Sequence, residues 1–412
     1  MRQISYRLAG ILKAPFRFEV WFALFVYSSR LKGNNWSKSL SVDLTGLFLV
    51  FTVLCAFAIA YRRSWRFPAR SFWCSMACIV FFAIPPASTL WTSAGSYAYT
   101  KAFTQAPLPL IAFILSSMIL STSKERIERF FKFVLAIGTL TLLTTYWAIL
   151  TGTVSLASSL VLQHDEDYIG RGLVIAQSGI LIYLALLFRR VNIVARLALT
   201  LVFLGFVFGV FLCGSKQALI ALLLSTIVPI VMTSQHRAWK KHISVFASII
   251  VLVLGITCYL GSKGITPVTL HRASQLFALE KGESVNDRTS KLHDAFQGFA
   301  ERPFLGNGVA AYGALPNHAE DDYPHDIFAE IAFEYGVVGL LIFTFFIMRL
   351  IHRSVSLRTL FRDELMCGIM LSVLIYAISS LVSGTYATNR FLFTALGMLC
   401  YKPQTKVQSP KE

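Results

Sequence analysis

The chain has 412 residues, of which 55% are apolar and only 14% are charged. Ordinary soluble domains carry about 25% charged residues, so this composition excludes a soluble multidomain enzyme. An aromatic content of 14% and a mean hydropathy of +0.62 also exclude disordered, collagen-like and disulfide-rich chains. The expected solvent is therefore the lipid bilayer.

Apolar runs that approach the length of a membrane span recur along the whole chain. A helix that crosses ~30 Å of hydrocarbon needs about 20 mostly apolar residues, and about twelve segments approach this pattern. The clearer segments begin near Leu44, Phe72, Phe130, Gly172, Leu197, Gln217, Ile243, Glu330 and Met366. The shorter or weaker segments are Phe18 to Ser29, Pro107 to Ser121 and Phe391 to Tyr401. The sequence predicts an all-α polytopic membrane protein.

The formal net charge of +17 would suggest a nucleic-acid partner if the protein were soluble. Most Lys and Arg residues fall in alternate loops when the N-terminus is placed in the cytoplasm, as the positive-inside rule expects. The charge therefore indicates orientation in the membrane. Both termini are predicted to be cytoplasmic, and nucleic acid is not an expected partner.

One polar connection, residues 261–326, is far longer than a helix hairpin needs and falls on the outer side, between the ninth and tenth predicted spans. Residues 1–412 are predicted to form a single membrane domain, with this connection as a large periplasmic loop that carries short helices. The chemistry is expected in this loop and at the helix ends beside it.

The long loop contains the string NDRTSKLHDAFQGFAERPFLGNG. Asp287, or Asn286 before it, is expected to cap a helix there. Pro303 and the turn at residues 306–308 are expected to end that helix.

Arg288 lies at one end of an apolar face of this predicted helix. Leu292, Ala295 and Phe299 follow it at helical spacing. The guanidinium is therefore expected to point toward protein or membrane. There it either serves a binding site or extends over apolar neighbours toward lipid headgroups.

His325 follows Pro324 at the start of a predicted span. The positive end of the helix dipole disfavours an imidazolium, which would keep His325 neutral and able to accept a proton. Asp326 beside it either orients the ring or caps the helix. The alternative for His325 is an interfacial histidine bound to a backbone carbonyl.

The end of the loop is rich in histidine and carboxylate groups, which suit zinc or manganese. Their spacing fits no known ligand pattern, so a solvated acidic turn is expected and no metal is predicted. The residues concerned are His318, Asp321, Asp322 and His325.

Charged side chains also lie near the outer ends of predicted spans, where burial in hydrocarbon is costly. Lys216 lies in the tight hairpin FLCGSKQALIAL, and Arg171 lies in YIGRGL. Each is expected either to bind an anionic ligand or to extend to the headgroups. Glu330 and Glu334, one turn apart, are expected to bind sugar hydroxyls or to interact with the helix dipole.

Together these residues suit transfer of a glycan from a lipid pyrophosphate presented at the outer leaflet. Pyrophosphate is a good leaving group, so the reaction needs cations and a base for the attacking hydroxyl, but no strong general acid. Arg288 and Lys216 supply cations, Arg171 is a further candidate, and one histidine supplies the base. No cofactor is expected.

The string of His325 and Asp326, nine residues, Gly336, two residues and Gly339 resembles the signature of the O-antigen ligase and polymerase superfamily. The wider segment YPHDIFAEIAFEYGVVG resembles the family segment that follows its large periplasmic loop. The earlier string ASTLWTSAG resembles a second, shorter family motif.

Two further features are similar to that family. Arg288 with Pro303, Gly306 and Gly308 resembles the family's arginine-containing helix and its Pro-x-x-Gly-x-Gly turn. Lys216 occupies the position of the family's usual arginine. The substitution removes the bidentate fork that a guanidinium offers to phosphate.

The resemblance implies a GT-C type glycosyltransferase of the bacterial inner membrane, with its active site facing the periplasm. It implies transfer of a glycan from undecaprenyl pyrophosphate to a hydroxyl acceptor, with inversion and without a metal. It also implies that His325 is the base and that Arg288 and Lys216 bind pyrophosphate. Asp326 replaces the family's Asn, Ser or Gln and is expected to raise the pKa of His325.

The leading functional prediction is a ligase that joins a finished polysaccharide to lipid A core. The alternative is a polymerase that extends O-antigen or exopolysaccharide from the same donor. A transporter or flippase is less favoured, because the candidate polar residues cluster at outer helix ends rather than near the bilayer midplane. A structural role in an envelope complex would predict that His325 is dispensable.

Overall fold

The computed structural model describes residues 17–32, 42–62, 69–151, 168–232, 283–353 and 363–402, with isolated positions between 247 and 262. Within these ranges every regular element is helical and no strand occurs. The helices are α1 (Phe18–Lys32), α2 (Leu44–Arg62), α3 (Ala69–Ser88), α4 (Ser96–Tyr99), α5 (Pro107–Met118), α6 (Lys124–Leu150), α7 (Tyr168–Phe188), α8 (Ile193–Leu212), α9 (Lys216–Met232), α10 (Glu283–Glu301), α11 (Ile327–Arg353), α12 (Glu364–Ser383) and α13 (Arg390–Met398). A π-helix, Thr100–Gln105, joins α4 to α5.

Eight helical segments of the described residues are long and apolar enough to cross a membrane. They are α2, α3, the continuous stretch from α4 to Thr122, α6, α7, α8, α11 and α12. Shorter apolar stretches lie in α1 and α9. The prediction of an all-helical, multi-pass membrane protein is therefore confirmed.

The predicted number of about twelve spans is not confirmed. The span expected near Ile243 lies outside the described residues. The segment expected from Phe391 to Tyr401 forms only α13, of 9 residues. At 1.5 Å per residue α13 covers about 14 Å, which is too short to cross the hydrocarbon alone. The GT-C architecture stays a prediction.

Helix α7 lies at the centre of the bundle, and α2 lies at its edge. Of the apolar window in α7, 72% is buried, against 22% in α2. Helix α7 contacts α6, α8, α9 and α12. On α2, Val50, Leu54 and Phe57 recur on one face and remain more than half exposed, as expected of a face that contacts lipid.

Small residues let the outer ends of α7 and α9 approach closely. A Cβ added at Gly172 would lie 2.9 Å from Ala218 Cβ and 3.0 Å from Ser215 Cβ. Close approach at small residues is the usual way that membrane helices pack. Arg171, which precedes Gly172, is therefore held beside the hairpin that carries Lys216.

A buried polar group fixes α12 against α1 and α7. The Gln177 amide donates to Ser372 Oγ at 3.1 Å, and the hydroxyls of Tyr27 and Tyr376 lie 3.2 Å apart. Tyr27 and Tyr376 also donate to the Gln177 carbonyl oxygen. This group sets the position of α12, whose last turn reaches the candidate site.

The helix of the outer loop is α10, which runs from Glu283 to Glu301. The expected start at Asp287 is wrong by one turn, because capping preferences of about 0.5–2 kcal/mol do not fix a boundary against the packing of the whole helix. The expected end before Pro303 is confirmed. The expected inner face is confirmed at Ala295, which is buried against Tyr312 and Phe333.

Helix α11 is interrupted at Gly336, which has φ 63° and ψ −159°. The interruption leaves the carbonyls of Phe333 and Glu334 without partners inside the helix. They accept hydrogen bonds from the backbone N–H groups of Asn307 and Gly308, both at 2.9 Å. The turn after α10 therefore docks into the break in α11.

Two hydrogen bonds in the opposite direction, from α11 to the turn after α10, complete the contact between these segments. The N–H groups of Val337 and Val338 donate to the carbonyls of Pro303 and Phe304, at 2.7 and 3.2 Å. A Cβ at Gly336 would lie 2.4 Å from Phe304 O and would require a left-handed conformation. The glycines of the two motifs thus join the loop after α10 to the break in α11.

Candidate active site

His325 lies one residue before the cap of α11 in a strained conformation. Its φ is 61°, which is uncommon for a residue other than glycine. Its ring packs on the ring of Tyr323 with centroids 4.4 Å apart. Its Nδ1 atom is buried and has no hydrogen-bond partner among the described residues. The imidazole therefore keeps a buried nitrogen without a partner, just before the start of α11.

The surroundings of His325 favour a neutral ring. Burial is the main cause that lowers the pKa of His325 below 6.5, and the charges of Lys291 and Arg288 lower it further. Asp322 and Asp287 oppose this shift without reversing it. A neutral imidazole was predicted, but its main causes are burial and two cations rather than the helix dipole.

Asp326 caps α11. Its Oδ1 accepts a hydrogen bond from the Ala329 N–H at 2.8 Å, and burial raises the pKa of this carboxyl. Of the two roles considered for Asp326, the structure shows the cap. The expectation that Asp326 raises the pKa of His325 is wrong, since the net shift is downward and Asp326 is not among its main causes.

Arg288 lies on α10 facing His325, together with Lys291. The Lys291 ammonium lies 2.7 Å from Asp322 Oδ1 and 3.7 Å from Asp287 Oδ2. Arg288 is partly buried and acts electrostatically on His325. We call His325, Arg288, Lys291 and Asp322 the base cluster, because all of them surround or form the candidate base.

His318, in the loop before α11, contacts the base cluster through Asp322. Its Nδ1 lies 3.0 Å from Asp322 Oδ2, and its Nε2 lies 3.4 Å from Asp294 Oδ2. Its ring meets Tyr312 edge-on. Burial alone would raise the pKa of Asp322, but hydrogen bonds from Lys291 and His318 outweigh this effect and lower it.

A polar cleft of about 760 Å³ opens beside the base cluster, between α10 and the loop that precedes α11. Acids outnumber bases in its lining, with Asp287, Asp294, Glu301 and Asp322 against Lys291 and His318. Within the described residues no group of three or more His, Cys, Asp or Glu side chains is arranged to hold a metal ion. The metal-free reaction stays a prediction.

Lys216 begins α9 after a tight hairpin in which Gly214 has φ 69° and Ser215 Oγ accepts from Ala218 N–H at 3.3 Å. The next residue, Gln217, accepts a hydrogen bond from Ser379 at 3.4 Å.

Ser379 lies one turn before Ser383 on α12, a rise of about 6 Å. The Ser383 side chain in turn lies close enough to Tyr323 to lower the pKa of its hydroxyl. The hairpin of Lys216 and Arg171 is thus connected to the base cluster through the last turn of α12.

Glu330 and Glu334, in the first turns of α11, do not belong to the base cluster. Both are fully buried, and each lies 2.6 Å from the ammonium of Lys101. We call these three residues the interior cluster. Lys101 was not predicted from the sequence. The available signal was a lysine in the interior of an apolar span, Ser96–Thr122, where a charge usually marks a function.

Residues 199–344, about a third of the chain, match the family model described as O-antigen ligase. The matched stretch runs from α8 into α11 and contains Lys216, Arg288 and His325. No curated protein matches the chain. The match supports a glycosyltransferase-like activity of the O-antigen ligase or polymerase type, with a lipid-linked glycan as the general kind of partner. This part of the chain is therefore similar to the O-antigen ligase family.

Proposed function

We propose that the protein transfers a glycan from undecaprenyl pyrophosphate to a hydroxyl acceptor at the periplasmic face of a bacterial inner membrane. The leading assignment is an O-antigen ligase that joins polysaccharide to lipid A core. The observation that supports this proposal concerns His325: its buried Nδ1 atom has no hydrogen-bond partner among the described residues, and the residue lies near Arg288 in the segment that matches the family.

The proposed reaction has one chemical step. His325 accepts the proton of the acceptor hydroxyl, whose oxygen attacks the anomeric carbon of the donor glycan. The bond from that carbon to pyrophosphate breaks, with inversion, and undecaprenyl pyrophosphate leaves with the bonding electrons. The lowered pKa of His325 keeps the base unprotonated at neutral pH.

The cations are proposed to act on the leaving group. Arg288 presents a guanidinium fork, which pairs well with phosphate oxygens. Lys216 and Arg171 approach from the α8–α9 hairpin and the start of α7. Their charges would stabilise the pyrophosphate as it departs, and this electrostatic contribution is usually large in such reactions.

One observation favours the polymerase alternative. The cleft beside Lys291 and Asp322 is lined by more acidic than basic side chains. Such a lining repels a phosphorylated acceptor and suits a neutral glycan, whose hydroxyls bind carboxylates. A polymerase, whose acceptor hydroxyl belongs to a second lipid-linked glycan, fits this lining better than a ligase that uses a phosphorylated core.

Proteoliposomes with purified protein and a radiolabelled lipid-linked donor test the proposal. Two parallel reactions receive either lipid A core or a second lipid-linked glycan as acceptor. Label on lipid A core supports the ligase, and longer lipid-linked glycan supports the polymerase. Donor that crosses the bilayer with no new covalent product would identify a transporter and would contradict both assignments.

A further inference from the structure

The three charged side chains of the interior cluster are buried within the membrane domain and pair with one another. The Lys101 side chain is 4% exposed, and the Glu330 and Glu334 side chains are 0% exposed. Lys101 lies in the π-helix Thr100–Gln105, a helix type that is rare and often found at functional sites. Nothing in the proposed reaction uses these three residues.

All four carboxylate oxygens of the cluster have a donor. Glu330 accepts from Thr385 Oγ1 at 2.6 Å and from the Tyr386 N–H at 3.1 Å, besides Lys101. Glu334 accepts from the Ala310 N–H at 2.8 Å and from the Tyr386 hydroxyl at 3.1 Å, besides Lys101. The cluster thus joins the π-helix, the start of α11, the turn after α10 and the loop between α12 and α13.

Stability alone does not account for this arrangement. Charged groups inside membrane spans are expensive, and apolar residues of similar volume often stabilise a core as well as a buried ion pair does. A set of buried charges has few geometries in which every atom is satisfied. The cluster therefore specifies how the four segments sit relative to one another.

The segment that carries His325 lies near one short stretch, residues 383–386, on both sides of the histidine. Before His325, the Ser383 side chain lies close enough to the Tyr323 hydroxyl to lower its pKa, against the effect of burial. After it, Glu330 accepts from Thr385 and from the Tyr386 backbone. Lys101 donates to the same Glu330 oxygen, Oε1, that accepts from Thr385. The strained backbone at His325 lies between these two contacts.

We propose that Lys101 is a positioning residue for the transfer reaction. It holds Glu330, and through Glu330 the first turn of α11, so that the imidazole of His325 stays at the reacting hydroxyl. The proposal rests on the proposed function, since it assumes that His325 is the base. Lys101 itself touches neither substrate.

The test compares Lys101→Met, Lys101→Arg and wild type by initial rates at varied donor concentration, with melting temperature in detergent as the measure of folding. Lys101→Met is expected to lower kcat on the order of 100-fold, as misplacement of a catalytic group by about 1 Å does, with donor KM little changed. Lys101→Arg keeps the charge and two donors and should restore most of kcat. Lys124→Met, at an exposed ion pair, is the control and should match wild type.

Thr385→Val keeps the test decisive if Lys101→Met does not fold. It removes one hydrogen bond to Glu330 without a change of charge, and it should lower kcat by a smaller factor at unchanged donor KM. Folded variants at both positions with wild-type kcat would overturn the positioning role. Failure of the proposed function would look different, because wild type would form no product or His325→Ala would be fully active.

Discussion

The base cluster and the interior cluster lie at the same end of the bundle, and they differ in what their polar atoms bind. Every carboxylate oxygen of the interior cluster has a donor. In the base cluster, His325 keeps an unpartnered buried nitrogen. Charges whose hydrogen bonds are all satisfied fix the local geometry, whereas the His325 nitrogen still lacks a hydrogen-bond partner.

Exposure separates the two clusters in the same way. Glu330 and Glu334 are fully buried, whereas the base cluster borders an open cleft of about 760 Å³. The cleft is lined by Lys291 and Asp322 of the base cluster and by no residue of the interior cluster. Substitutions in the base cluster are therefore expected to change chemistry and binding, and those in the interior cluster to change alignment.

The largest effect is expected for His325→Ala. Loss of a positioned general base typically lowers the rate by about 10²- to 10⁴-fold, and single-turnover transfer from bound donor should fall by that factor. Donor binding, measured separately by equilibrium filtration, should persist because the cations remain. His293→Ala, at an exposed histidine of α10, is the matched control. Full single-turnover activity of His325→Ala would remove the base from the mechanism.

A smaller effect is expected for Arg288. Arg288→Ala should weaken donor binding as well as the rate, because charge and fork are lost together. The donor affinity and the rate of Arg288→Lys should lie between those of Arg288→Ala and wild type, because the charge survives without the guanidinium fork. Arg302→Ala, at an exposed position after the end of α10, provides the control. Equal donor affinity in all three Arg288 proteins would contradict pyrophosphate recognition by this residue.

The smallest effect is a shift in the pH profile. Because the pKa of His325 is lowered from 6.5, kcat/KM should rise with pH and reach half its maximum below that value. Lys291→Met removes a charge that lowers the pKa and should move the midpoint upward. Asp322→Asn removes a charge that raises it and should move the midpoint downward. Identical midpoints in the three proteins would show that a different group titrates.

Hydropathy and local motifs predicted the fold class and singled out His325 and Arg288, but Lys291 of the base cluster was not predicted. Arg288 and His325 were joined by the chemistry of the expected reaction and by the family resemblance, because helical spacing within α10 does not fix its distance to a residue in another element. The same information could not decide between two roles for Asp326, because the direction of a hydrogen bond depends on where the neighbouring N–H groups point in three dimensions. The structure resolves that choice in favour of the helix cap.

The interior cluster shows what sequence patterns do not contain. Lys101 meets Glu330 and Glu334 across separations of 229 and 233 residues. Each residue taken alone is compatible with headgroup contact or with interaction with a helix end. Only the packing of distant helices makes them one network, and a single sequence carries no signal for such pairs.

A structure of the protein with undecaprenyl pyrophosphate bound tests the central claim most directly. The account predicts that the diphosphate lies between α10 and the α8–α9 hairpin, with its oxygens about 3 Å from the Arg288 guanidinium and the Lys216 ammonium. It also predicts that the His325 ring faces the phosphate-bearing end of the lipid. A diphosphate bound elsewhere, with Arg288 and Lys216 on separate surfaces away from His325, would contradict the account.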